Sequence, residues 1–258
     1  PPLYPDSFWK RTSDMDGIQN GFWKSDHPTH TQDTLRLAIV AYLGDDTRDS
    51  IIQEYGRIEN WNVSQVTDMS GMFFDAENFN QDIGGWNVSN VNNMNSMFDG
   101  VGNFNQDIGG WNVSQVTNMS KMFYDAISFN QDIVGWNVSH VKHMRGQFIG
   151  AKSFNQDIGG WNVSQVTDMN YMFYYATNFN QNIGGWNVSQ VTRMSEMFYY
   201  ATNFNQNIGG WNVSKVKNMK EMFNFSKNFN QNIGGWNMEN VTNMRNMFEK
   251  AENFNQDI

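Results

Sequence analysis

Cysteine is absent from the 258 residues. Its absence excludes disulfide staples and zinc–thiolate sites, yet leaves the compartment open, because many bacterial surface proteins also lack it. No run approaches the roughly 18 consecutive apolar residues of a membrane-spanning helix, so membrane insertion by this segment is not expected. Positive charge is scarce: 17 Lys and Arg stand against 26 Asp and Glu, a formal net charge of −9. That balance favours solubility and argues against nucleic acid or an anionic membrane as partner, since both are recognised by a basic footprint. The opening residues Pro1-Pro2-Leu3-Tyr4-Pro5 hold neither an initiator Met nor a signal-peptide core. They are read as a start downstream of a removed segment, or as part of a longer chain.

What is present is a repeat. Trp61, Trp86, Trp111, Trp136, Trp161, Trp186, Trp211 and Trp236 recur every 25 residues without insertion or deletion. The unit reads W-N-V-S-x-V-T-x-M-x-x-M-F-x-x-A-x-N-F-N-Q-D-I-G-G, and its last copy ends on Ile258. Within a unit, Met69, Met72, Phe73 and Ala76 stand three and four residues apart, which predicts a short helix or 3-10 segment. Phe79 to Ile83 predicts a short strand leading into a Gly84-Gly85 turn. One strand and one helical turn per 25 residues is the plan of a leucine-rich-repeat-like solenoid.

A single unit has too few apolar residues to offset the entropy of ordering it, so neighbours must share one core. Stacking at about 4.8 Å places like residues above one another. The Asn62, Asn87 and Asn112 column, and the Gln81 column, can then satisfy themselves as amide ladders. One further column is mixed: Asp82, Asp107, Asp132, Asp157, Asn182, Asn207, Asn232 and Asp257. Stacked carboxylates repel unless solvated or bridged by cations; solvation is the expectation, with a calcium-bound stripe as the alternative.

Residues 1–58 are expected to form an N-terminal cap, and 59–258 the eight tandem repeats. The cap has an irregular segment, where Trp9, Phe22 and Trp23 suggest packing. A helix follows from about Thr34 to Leu43, stopped at Gly44, with Leu35, Ala38, Ile39 and Tyr42 as its buried stripe. Tyr55-Gly56-Arg57-Ile58 stands where N-Q-D-I stands later, a degenerate half-repeat. No comparable cap follows Ile258, so either the chain continues or that end docks on another subunit.

The segments W-N-V-S-Q-V-T-D-M-S-G-M-F and F-N-Q-D-I-G-G-W resemble the BspA-like leucine-rich-repeat surface proteins, the 25-residue mycoplasma-lipoprotein repeat family. The resemblance covers residues 55–258, and the helix with Tyr55-Gly56-x-Ile58 is similar to that family's lead-in. W-N-V-S stands here where W-D-V-S is commoner. The resemblance implies a secreted or surface location in bacteria, mycoplasmas, protists or large viruses. It also implies a role in adhesion or host-protein binding, with no catalytic residues to carry over.

Specificity is then sought at the two variable positions after M-F. They present Phe74, Tyr124, Tyr174, Tyr175, Tyr199, Tyr200 and Phe225, an exposed aromatic surface for a ligand or for self-association. Seven N-V-S sequons, from Asn62 to Asn212, permit N-glycosylation in form, but glycans about 4.8 Å apart would collide. His140 and His143 stand three apart, with His27 and His30 in the cap; no third ligand accompanies them, so no metal and no cofactor are expected. No nucleophile–base pair, phosphate-cradling glycine motif or lone acid breaks the pattern. The expected function is non-enzymatic: an extracellular, cell-surface or virion-surface binding protein for a protein or glycan on another cell or matrix. The alternative is an architectural subunit that assembles with copies of itself into a filament or sheath.

Overall fold

The computed structural model describes residues 29–258. The expected packing of Trp9, Phe22 and Trp23, and His27, lie outside the described residues.

Two helices open the described chain. α1 spans Gln32–Leu43, two residues further toward the N-terminus than the sequence pattern suggested. Thr31 and Thr34 close its first turn reciprocally, each hydroxyl accepting from the other's backbone N–H. Its buried stripe is Leu35, Ala38, Ile39 and Tyr42. α2, Arg48–Tyr55, ends at Gly56, whose φ of 75° is open to glycine at no steric cost. The sequence reading missed α2 because Ile51 alone is buried, so no apolar periodicity marks it. A 3-10 turn at Ile58–Asn60 leads into the first unit.

From Trp61 each 25-residue unit lies against the next in parallel register. Isolated parallel bridges join Asp68 to Asn93, Asn93 to Asn118, and so on to Asn243. Around them the hydrogen bonds alternate. In the unit beginning at Trp161, the N–H groups of Met169, Tyr171, Phe173 and Tyr175 donate to carbonyls of Arg193, Ser195, Met197 and Tyr199 in the next unit. Those of Met172, Tyr174 and Ala176 donate three residues back within their own unit. The segment predicted as helix is therefore a row of turns pinned every second residue to its neighbour. Phe79–Ile83, predicted as strand, carries no strand; the bridging lies beside Met69 instead. A turn with i−3 bonds needs left-handed residues at intervals, and these fall at the tenth and fourteenth positions after each Trp: Gly71 and Asp75, Tyr171 and Tyr175.

Inside runs one continuous core. The Phe73-type and Phe79-type rings stack within a unit and onto the next, as Phe173 does on Phe179 at 3.9 Å and on Phe198 at 5.6 Å. Spacing between the units at Trp161 and Trp186 is not uniform. It grows from 4.8 Å at Tyr174–Tyr199 to 5.6 Å at Phe173–Phe198 and 6.0 Å at Phe179–Phe204, and one unit on, the tryptophans Trp186 and Trp211 stand 6.5 Å apart. The units thus splay like wedges, hydrogen-bonded side inward. The uniform stacking of about 4.8 Å expected for tryptophan does not occur; from Trp86 onward each indole N–H reaches instead to the isoleucine carbonyl 28 residues earlier, Trp186 to Ile158 at 3.0 Å.

The polar columns divide by chemistry. Asn80-type carboxamides bind across units: Asn180 Oδ1 accepts from Asn205 N–H at 2.9 Å and from Gln206 Nε2 at 3.0 Å. The Gln81 column thus bonds to asparagine of the preceding unit rather than to itself. The Asn62 column forms no ladder either. Its oxygens accept locally, Asn162 from Ser164 N–H at 3.1 Å, as an Asx turn that leaves Asn162 exposed. The mixed Asp/Asn column does likewise: Asp157 accepts from Gly159 N–H and Asn182 from Gly184 N–H, at 2.9 and 3.0 Å. Only an oxygen acceptor is required, so acid and amide interchange.

α1 closes the near end. The Gln32 carboxamide accepts from Asp68 N–H at 3.0 Å and donates to Asp68 O, standing in for a missing unit. Arg36 reaches Asp68 at 3.6 Å and Ser70 at 3.3 Å. Ile58 fills the place that isoleucine fills in later units, its carbonyl accepting from Trp86 Nε1 at 2.9 Å. At the far end Met244 and Ile258 are exposed.

Candidate functional site

On the hydrogen-bonded side, side chains from the seventh, ninth, tenth, thirteenth and fourteenth positions after Trp share one strip. The aromatic residues singled out from the sequence divide there. Tyr174, Tyr175, Tyr199, Tyr200 and Phe225 come together. Tyr174 stacks on Tyr199 at 4.8 Å and 13°, and Tyr175 on Tyr200 at 4.6 Å and 5°. Phe225 leans on Tyr200 at 5.1 Å. Tyr124 stands two units below Tyr174, with Ile149 between. Phe74 is not part of the cluster; with Tyr42 and Arg48 it lines a groove of about 530 Å³ beside α1.

The expected exposure of these side chains holds only for Phe74. Tyr124, the four clustered tyrosines and Phe225 are half-buried; within the cluster a ring one unit away covers each stacked face. Burial pushes the Tyr174 phenol up to about 12 and raises Tyr199 as well. These hydroxyls therefore stay protonated donors at neutral pH. Tyr171, Tyr175, Tyr200 and Phe225 hold φ between 57° and 61°, a region that bulky side chains rarely occupy.

Charged residues frame the rings. Arg193 and Arg145 converge on Asp168 at 3.3 and 4.0 Å, and Lys220 pairs with Glu196 at 3.5 Å and Glu221 at 3.2 Å. Arg145 also lies over the Tyr171 ring at 4.8 Å, and Lys121 over Tyr124 at 5.6 Å. The sequence reading missed Tyr171, Lys121 and Arg145 because it examined only the two positions after M-F. The ninth and tenth positions vary as much, and that variation was the available signal.

The histidines do not converge. His140 Nδ1 lies 2.9 Å from the Ser114 carbonyl oxygen, and His143 belongs to the bridge column. Among the described residues no three His, Asp or Glu side chains gather as metal ligands, and no helix is long and apolar enough to cross a membrane.

A family model described as "Mycoplasma protein of unknown function, DUF285" matches residues 48–161, 101–195 and 142–258. The chain belongs to the DUF285 family. The overlapping matches begin in α2 and together span every unit. No curated protein matches the chain, and no solved structure does.

Proposed function

We propose that this DUF285 chain is a BspA-like, leucine-rich-repeat-like solenoid acting without catalysis as an adhesion or ligand-binding module, extracellular or at a cell surface. The observation that carries the reading is the tyrosine cluster on the inner, hydrogen-bonded strip. Its backbone is pinned to the next unit at every second residue, so the rings are ordered before any partner arrives and little entropy is lost on binding. Half-buried phenols with free rims, flanked by paired charges, have the composition of interface centres.

The ring packing favours a protein ligand over a glycan. A sugar stacks on an open aromatic face, but the pairs Tyr174–Tyr199 and Tyr175–Tyr200 each cover a face of both rings, so that apart from the Tyr174 face toward Ile149 the cluster offers mainly edges and hydroxyls. The test is an array of extracellular-matrix proteins and glycans, probed with the wild type and with a variant carrying Tyr174→Ser, Tyr175→Ser, Tyr199→Ser and Tyr200→Ser. A protein ligand whose affinity drops at least roughly hundredfold in the variant supports the reading. Equal binding by both chains sinks the strip as contact surface. A dilution-resistant homo-oligomer with no ligand supports the architectural alternative.

A further inference from the structure

Beyond the tyrosine cluster, the strip contains a gap. At the thirteenth position four consecutive units carry Tyr124, Ile149, Tyr174 and Tyr199, so one rung within this run of tyrosines is aliphatic. The unit containing Ile149 also has glycine at both the tenth and fourteenth positions, Gly146 and Gly150. Ile149 leans over Gly146, where its Cδ1 would meet an added Cβ, and the Asp125 carboxylate covers Gly150. What remains is a notch of about 300 Å³, floored by Gly146 and Ile149 and walled by Tyr124 on one side and Tyr171 and Tyr174 on the other. The Tyr174–Tyr199 pair, 4.8 Å apart, shows how a filled rung looks.

The rim is basic on a chain of net charge −9. Lys121 lies over the Tyr124 ring; it faces Asp99, whose carboxyl feels its charge, but makes no ion pair among the described residues. Arg145 lies over Tyr171, and its contact with Asp168 at 4.0 Å is longer than the 3.3 Å contact of Arg193 to the same oxygen. Glu196, the one acid lining the notch, is held by Lys220. The core beneath departs from the repeat in the same unit. Gln147 replaces the usual Met, is fully buried, and its Oε1 has no hydrogen-bond donor.

From this juxtaposition we infer that the notch binds a flat aromatic ring bearing a carboxylate. The ring supplies the missing rung between Tyr124 and Tyr174, and the carboxylate meets Lys121 and Arg145. The inference stands apart from the adhesion reading, because a small acid tests it directly.

Benzoate is titrated into the whole chain while the amide resonances of Gly146, Ile149 and Gly150 are followed by NMR. A saturable shift at these three residues with a dissociation constant of about 1 mM is expected for a nine-atom ligand. Cyclohexanecarboxylate, equally charged but not flat, and benzamide, flat but neutral, should each bind roughly tenfold more weakly. Lys121→Gln should weaken benzoate by roughly five- to tenfold. Ile149→Tyr installs the residue carried at this position by three other units, so the fold is kept and the notch is filled; binding should vanish with the melting temperature little changed. Absence of a saturable shift, equal binding of cyclohexanecarboxylate, or undiminished binding by a folded Ile149→Tyr variant would each overturn the inference. A free aromatic acid and the terminus of a peptide share the chemistry. N-acetylphenylalanine separates them, tighter binding than benzoate pointing to the peptide and weaker binding to the free acid.

Discussion

At the scale of single residues, the strip combines strain with order. Tyr175 holds φ of 57°, and so does Tyr200, whereas Gly150 and Gly100 serve the same backbone position one and three units before Tyr175. The left-handed conformation costs a bulky residue about 1–2 kcal/mol, and ring stacking returns a similar amount. Tyr175→Gly should therefore change the unfolding free energy by less than about 1 kcal/mol, measured by urea denaturation. Phe173→Ala, which empties a fully buried site between Phe179 and Phe198, should cost about 3–5 kcal/mol. A large loss for Tyr175→Gly would mean that the strip is part of the stabilising core rather than a surface carried by it.

The two asparagine columns separate in the same way. Asn180 joins units through its carboxamide, whereas Asn162 serves one exposed turn. Asn180→Ala leaves the Asn205 N–H without its acceptor and should cost about 1–2 kcal/mol; Asn162→Ala should stay within about 0.5 kcal/mol. Equal costs in urea melts would contradict the division. The sequence singled out Asn62 and its successors as the ladder, and repetition alone could not distinguish the columns. Both are invariant amides, and the difference lies in which direction each side chain points.

At the scale of elements, the cap depends on His30. It is 1% exposed, packs on Tyr55 at 5.1 Å and Trp61 at 4.9 Å, and its Nε2 has no partner among the described residues. Burial lowers its pKa below the ordinary 6.5. The folded cap then binds fewer protons than the unfolded chain once the pH drops below 6.5, so its stability is full above that value and declines as pH falls through the lowered one. The melting temperature should fall as the pH is lowered below about 6.5 in the wild type, and His30→Phe should flatten that slope. A wild-type profile parallel to that of the variant would remove His30 as the cause. α1 was legible because its apolar stripe is complete. α2 was not, since only Ile51 reports its inner face.

At the scale of the whole molecule, the unit is the quantum of construction. Removing residues 111–135 joins Gly110 to Trp136 in unchanged register, so the shortened chain should fold, with a smaller denaturant m-value and a lower midpoint. Circular dichroism and urea titration read both. A chain that loses cooperative unfolding would show that the units are not interchangeable. The changing separation between units bends the stack toward its hydrogen-bonded side, which presents the tyrosine strip on the inner surface.

The sequence by itself determined the period, the boundaries of the units, the apolar positions of the core and the helix of the cap. These follow from chain-local spacing, and a strict repeat makes spacing unambiguous. It also singled out four tyrosines that the structure brings together. Only the tertiary structure decided that the Met69–Ala76 segment forms pinned turns rather than a helix, that Asn80 rather than Asn62 binds across units, and that the tyrosines cover one another's faces. Each of these depends on a neighbour 24 to 26 residues away. Whether an N–H turns inward to its own unit or outward to the next is settled by stacking, and one unit read alone has nothing to stack upon.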